Sequence, residues 1–492
     1  MDSPSSATPP VAPAPRARTS LPDGRRFIPL VPGLLMLVVA LVGAGRPVLS
    51  WDEVTSAEVA SRSVPQILDL IPNLDAVFGP YYLFLHFWTA IAGTSEVALR
   101  LPSILAMAGA VALAAELGRR LFTPATGLVA GLLLCLVPNT SRYAAEARPY
   151  AFACLFAALA LLLLVRAVQK GGRLPWIWYG VSVLFLGLAH LIALTTLAAH
   201  AAYLAVNGRR HLRRWALTAG VAVLPVLPFA YLGATQEDTQ LHWVKPITLA
   251  RIRDMPGDIT GSPEVAWLLI GLAVLAVWRP GRRLLPIVVY AVVPLGAVAV
   301  VSALVSPMWV ARYLLVVLAP LALLAAVSLL GGRDERPRYT IARVVAVLLL
   351  IGFAAVPGER AVRRPTAKNG PDYRTIAQII GSDTRPGDIV VYPARNRAIR
   401  AGTGYYLRRQ PAAPADVLVE VPSAQTGWLI ATEYQDAVSR VAGAPRIWLA
   451  TADRRDDPLT ARTDLRPYIT AGYHRVGFWQ AKSATVALYE RN

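Results

Sequence analysis

The sequence predicts a polytopic α-helical membrane protein of about eleven transmembrane helices, followed by a small α/β domain. Three observations predict it. Of 492 residues, 55% are hydrophobic and only 16% charged, with a mean hydropathy of +0.47, the profile of a chain that spends much of its length in lipid. Apolar runs recur from residue 27 to residue 356, separated by short basic clusters or polar loops. Beyond residue 360 the composition turns polar and the apolar runs shorten. A net charge of +19 would suggest nucleic acid in a soluble chain. Here the basic residues sit between apolar runs, as the Lys and Arg bias of cytoplasmic loops requires, so no nucleic-acid partner is expected. Cys135 and Cys154 both lie in apolar runs and offer neither a disulfide framework nor a metal spacing.

Residues 1–24, rich in Ser, Pro, Ala and Arg, cannot bury a core and read as a disordered cytoplasmic tail. Arg25 and Arg26 precede the first run, 27–42, which reads as an anchor; Gly43-Ala44-Gly45 is a weak cleavage site for the alternative, a signal peptide. The segment 47–97 is the first large outer loop. It opens with Leu49-Ser50-Trp51-Asp52-Glu53, continues through Glu58, Arg62, Asp69 and Asp75, and ends in the aromatic stretch Tyr81 to Trp88, which suits a helix lying in the interface. Span two, 98–117, closes at Arg119-Arg120, and span three runs from Pro124 to Pro138. The loop 139–148 leads to Pro149, well placed as the first helical residue of span four, which ends at Arg166 and Lys170.

Spans five and six, 174–189 and 191–206, meet around His190 and end at Arg209, Arg210, Arg213 and Arg214. Span seven, 215–233, leads to a loop over 234–262 with Glu237, Asp238, His242, Trp243 and Lys245. Span eight ends at Arg279, Arg282 and Arg283, and span nine near Ser306-Pro307. Span ten runs from Arg312-Tyr313 to Arg333, Arg336 and Arg338, and span eleven covers 340–356. The basic clusters after the even-numbered spans share a side with Arg25 and Arg26, which marks it as cytoplasmic. The odd count then places the C-terminal part outside. The membrane domain is expected over 25–357 and the extracytoplasmic domain over 358–492. In the latter, Asp372 to Ser382 reads as a helix, and 388–392, 428–431 and 447–450 as short buried strands. Gly402-Thr403-Gly404 lacks the third glycine and the strand–turn–helix setting of a dinucleotide site. No internal repeat is evident, which counts against an inverted-repeat transporter.

The ionisable residues at the outer ends are Asp52 and Glu53, Glu146 and Arg148, Lys245, and Arg312. Two readings stand side by side. Each is a span-end charge at the interface, with Asp52 and Glu53 in the favourable first turn of a surface helix; or they converge on one site. A sugar leaving a lipid phosphate needs cations around the departing anion, and an attacking hydroxyl needs a carboxylate to take its proton. This set holds both. His190 and His200, inside apolar runs, read as hydrogen-bond donors to neighbouring helices. No metal-ligand spacing is present and no cofactor is expected.

Trp51-Asp52-Glu53, the stretch from Asp75 to Trp88, Leu99-Arg100-Leu101-Pro102-Ser103, Glu146-Ala147-Arg148-Pro149-Tyr150 and Ala311-Arg312-Tyr313-Leu314 occur in that order. In this the chain resembles the GT-C glycosyltransferases, in the branch with protein O-mannosyltransferases and lipid A aminoarabinose transferases. It looks most like the actinobacterial membrane mannosyltransferase-like members. The resemblance covers residues 27–330 and implies a GT-C fold in the cytoplasmic membrane. It implies a polyprenyl-phosphate donor carrying a mannose-like sugar, an envelope glycan, lipid or protein acceptor, and inverting transfer outside. It makes Asp52 the catalytic carboxylate with Glu53 beside it. Glu146, Arg148 and Tyr150 become the second outer motif, Arg312 the late basic residue, and Asp75 and Tyr82 members of the first-loop site. The resemblance to this branch implies no metal, although other members of the superfamily use one. Where the family has a His-Pro-Pro-Leu-Tyr-Tyr-like pattern, this chain reads Val77-Phe78-Gly79-Pro80-Tyr81-Tyr82. Phosphate binding then falls to Arg148, Lys245 or Arg312. The same departure keeps a catalytically inactive relative among the readings, beside a lipid or glycan flippase.

Overall fold

A computed structural model describes residues 27–278, 281–331 and 336–492. The expected tail over 1–24 and Arg25, Arg26, Arg279 and Arg333 lie outside the described residues. The apolar runs form helices, which satisfy their own backbone groups where lipid cannot. Among the described residues six are long and apolar enough to cross a membrane: Glu96–Leu121, Tyr150–Lys170, Arg209–Thr235, Arg282–Leu304, Ala311–Leu330 and Pro337–Val362. Two further spans are broken. Pro124–Cys135 and Pro138–Ala144 meet at 72°, and Leu249–Thr260 and Pro263–Val277 at 95°. Each break precedes a proline in the first turn of the second helix, where the ring cannot continue the preceding hydrogen-bond ladder.

By length the spans thus number six to eight. The expected eleven counted three shorter helices, Leu30–Leu41, Leu174–Ala189 and Leu191–Asn207. The first of these has 12 residues, about 18 Å of helix against the ~30 Å hydrocarbon core. Ala311–Leu330 is the most enclosed of the six, whereas Arg209–Thr235 and Pro337–Val362 form the rim. Leu217, Val221, Leu224, Leu349 and Phe353 are exposed there and form an apolar outer surface. Inside, small residues let helices touch: a Cβ on Gly127 would lie 2.1 Å from the Ala115 carbonyl of the neighbouring helix.

Contacts between helix ends define one face. Arg363, past the last long helix, donates to the carbonyls of Val39 and Val42. Arg374 pairs with Glu96 at the start of another helix, and the Ala76 amide donates to Gln236. On this face stand the segment 42–95, the turns near 145 and 310, and the C-terminal domain. Arg119, Arg120, Arg209, Arg210, Arg282 and Arg283 lie at the opposite helix ends.

The C-terminal domain has six strands, β1 (Ile389–Val391), β2 (Val419–Val421), β3 (Thr432–Glu433), β4 (Arg446–Ala452), β5 (Tyr473–Ala481) and β6 (Ala484–Arg491). The main sheet runs β1-β4-β6-β5, with β1 parallel to β4 and the other pairs antiparallel. The expected strand over Trp428-Leu429-Ile430-Ala431 is a bend; β3 begins only at Thr432. Trp428 and Ile430 remain exposed, so this apolar run has no sheet to bury it. The helix Arg397–Leu407 packs on the helix Trp51–Ala60, and Val54, Tyr82, Tyr373, Ile399, Tyr406 and Trp448 share one core. The domain is therefore the support against which the Asp52 segment is held.

Candidate functional site

The helix Trp51–Ala60 starts at Ser50, whose hydroxyl accepts from the Glu53 amide while the Glu53 carboxylate accepts from the Ser50 amide, a reciprocal cap. That cap pins the first turn and presents its two carboxylates differently. Asp52 keeps 28% of its side chain accessible; Glu53 has none.

Asp52 stands between two arginines from distant parts of the chain. Arg148 Nη2 lies 3.5 Å from Oδ1 and Arg312 Nη1 lies 3.2 Å from Oδ2. Burial alone would push the Asp52 carboxyl up, but Arg148, Arg312 and Arg397 together hold it below the ordinary range. Arg148 is set by Tyr82, whose hydroxyl accepts from Nη1 at 3.2 Å and donates to Asp75 Oδ2 at 2.7 Å. Its guanidinium lies 3.9 Å from the Phe78 ring centre. Phe78, the sequence's departure from the family pattern, thus lies as an aromatic plate under an arginine. Arg312 lies 5.0 Å from the ring centre of Trp243 and 5.9 Å from that of Tyr150. Arg148 Nε and Arg312 Nε are buried without a hydrogen-bond partner.

Glu53 is saturated. Arg100 grips it with Nε at 2.7 Å and Nη2 at 3.0 Å, the Ala147 amide donates at 3.1 Å, and Lys368 Nζ lies at 2.8 Å. Burial opposes its ionisation, yet Arg100 and Lys368 hold its carboxyl well below the ordinary range. Burial and then the Arg100 charge push the Lys368 ammonium down to about 8, with Glu53 opposing. Glu146 lies 4.0 Å from the same ammonium. A carboxylate so enclosed has no lone pair facing an acceptor. It is the joint between the Asp52 turn, the loop before Arg148 and the C-terminal segment.

Asp52, Glu146, Arg142, Tyr143, Trp243, Arg312 and Asn369 line a cavity of about 210 Å³. Lys245 does not: it is exposed, two residues beyond Trp243 on the same loop, and forms no ion pair among the described residues. His200 bonds the Tyr179 hydroxyl at 3.0 Å, and His190 packs its ring against Tyr150 and Tyr313. Among the described residues no group of three or more His, Cys, Asp or Glu side chains forms a metal cluster. The sequence reading passed over Arg142 and Lys368, and it named Arg100 and Trp243 without giving either a place in the site. Arg142 lay within the outer loop already singled out. Lys368 lies in Lys368-Asn369-Gly370-Pro371, which reads as a linker. The Asn369 carbonyl accepts from the Trp51 amide at 3.2 Å, and Gly370, at φ +114°, lies so close to the Trp51 ring that a Cβ would meet it at 2.1 Å.

Beside this site a second, apolar groove of about 730 Å³ opens between the helices Leu249–Thr260, Pro263–Val277, Arg282–Leu304 and Ala311–Leu330. Trp309 and Val317 line it on either side of Arg312 in sequence.

Residues 79–231 match the profile of the dolichyl-phosphate-mannose-protein mannosyltransferases. No curated protein matches the sequence. In fold the chain is similar to ArnT from Cupriavidus metallidurans in the apo state, with a TM-score of 0.60 at 14% identity over 93% of this chain and 97% of that one. It is equally similar to the same protein bound to undecaprenyl phosphate, with a TM-score of 0.59 at 15% identity over 95% and 98% of the two chains. The chain has the GT-C fold.

Proposed function

We propose that this multi-pass membrane protein of GT-C fold is a glycosyltransferase that moves a sugar, mannose-like by preference, from a polyprenyl phosphate to a hydroxyl acceptor. The observation that carries the reading is Asp52, partly open to a cavity and held between Arg148 and Arg312. The apolar groove beside Arg312 supports a long isoprenoid tail, and the structural neighbour solved with undecaprenyl phosphate supports the same class of donor. The matching mannosyltransferase profile supports the sugar. The arginine clusters at the helix ends away from the site support an outer active face in a cytoplasmic membrane.

In the reaction the acceptor oxygen bonds to the anomeric carbon from the face opposite the phosphate, its proton passes to Asp52, and the bond from that carbon to phosphate oxygen breaks. Polyprenyl phosphate leaves as an anion beside Arg148, Arg312 and Arg142. Ion-paired on both sides, Asp52 alone is a weak base. A donor phosphate competes for the same guanidiniums, loosens their hold, and raises the basicity of Asp52 once substrate is bound. Glu53 takes no proton and fixes the turn that aims Asp52. The test is release of polyprenyl phosphate from polyprenyl-phosphate mannose by purified protein. Turnover by the unaltered chain and loss in Asp52→Asn support the reading; no turnover with any polyprenyl-phosphate hexose or pentose overturns it.

A further inference from the structure

A cavity of about 450 Å³ lies between the helix Trp51–Ala60 and the C-terminal domain, within the ~300–1,000 Å³ range of small-molecule sites. Its charged and polar wall includes Glu58, Tyr392, Arg397, Arg400, Arg408 and Asp416. Three of these charges are already matched. Glu58 pairs with Arg62 and accepts from the Ser423 hydroxyl. Arg400 pairs with Asp416 at 2.9 Å and also with Glu433. Arg397 and Arg408, both exposed, form no ion pair among the described residues. The wall thus presents two uncommitted cations, and Asp416 Oδ1 is buried with no hydrogen bond to accept.

From these features we infer that this cavity binds an acidic saccharide, the part of the sugar acceptor remote from the reacting hydroxyl. The assignment rests on the transferase reading above. Guanidiniums answer a carboxylate or phosphate on the glycan. An acyl chain would strip these groups of water and return nothing. Arg397 connects the cavity to the chemistry: it lines the cavity and its charge also acts on Asp52. An acceptor seated here lies along the helix whose first turn carries Asp52.

Gly404 lines the cavity, and a Cβ there meets nothing within 4 Å. A larger side chain at this helical position enters open space, and any residue but proline is a better helix former than glycine. The experiment is titration calorimetry on the full chain in lipid nanodiscs, with a galacturonate trisaccharide and a neutral galactose trisaccharide as probes. The acidic probe should bind saturably and the neutral one much more weakly. Gly404→Phe and Arg408→Ala should each weaken acidic-probe binding about 10–100-fold, the worth of one charge-assisted contact. Equal binding of both probes, no binding of the acidic one, or unchanged affinity in Gly404→Phe overturns the inference. Donor turnover is followed in the same preparation. Turnover without saccharide binding removes the cavity assignment alone; saccharide binding without donor turnover removes the transferase reading and leaves the cavity a saccharide site.

Discussion

Glu53→Gln separates support from chemistry in this site. The substitution keeps the shape and removes one negative charge from a point with no solvent access. Arg100 and Lys368 lose their counter-ion, and an amide cannot accept from Arg100, Lys368, Ser50 and Ala147 together. Breaking a buried ion pair by removing one partner costs about 3–5 kcal/mol. The pH dependence of that loss follows from Lys368, pushed down to about 8 from its ordinary 10.5. Between those values the unfolded chain holds the proton and the folded one does not, so Lys368 makes stability rise with pH there. Without Glu53 its ammonium is harder still to keep, so raising pH past 8 should recover part of the lost stability. Arg100 cannot shed its proton, so recovery is partial. Adding Lys368→Met should cost less than the two single losses summed, with a coupling of about 0.5–3 kcal/mol. The assay is the fraction of monodisperse protein after heating in detergent, at several pH values, with turnover measured on the folded fraction. Turnover per folded molecule should fall less than in Asp52→Asn. Wild-type heat resistance in Glu53→Gln would refute the reasoning, as would abolished turnover there beside retained turnover in Asp52→Asn.

Asp52→Asn should fold and bind donor while losing about 10²–10⁴ in turnover, the usual range for a general base. In the unaltered protein, kcat/KM should hold below the ordinary carboxylate range, because Arg148 and Arg312 keep free Asp52 ionised to lower pH; an acid limb at an ordinary or raised value contradicts the geometry. At least one of Arg148→Ala and Arg312→Ala should cost about 2–4 kcal/mol of transition-state stabilisation, read from kcat/KM; normal turnover in both would leave Arg142 as the remaining cation of the cavity. Gln240→Cys, on the loop that carries Trp243, should react with a membrane-impermeant thiol reagent added outside intact cells, and labelling only after permeabilisation would place the site on the other face.

Sequence alone determined the membrane class and the order of the helices, because the requirement that backbone groups be satisfied in lipid is written directly into long apolar runs. It also brought out Asp52, Arg148 and Arg312, since charges at the ends of apolar runs stand out against their surroundings. It determined less about the C-terminal domain. The hairpin β5–β6 escaped notice because its turn, Lys482-Ser483, carries none of the usual Asn-Gly signal. The run Trp428 to Ala431 suggested a strand because apolarity over four residues says nothing about whether a partner strand is in reach. Only the tertiary structure decided which of two adjacent carboxylates faces the cavity. The family resemblance singles out Asp52 over Glu53, and a helical turn points the two about 100° apart, but what waits in each direction comes from elsewhere. Glu53 meets Arg100, 47 positions away, and Lys368, from beyond the last long helix. Asp52 meets Arg148 and Arg312. Partners so far apart along the chain leave no local pattern, because their pairing depends on how the helices pack and on the C-terminal domain closing over the face.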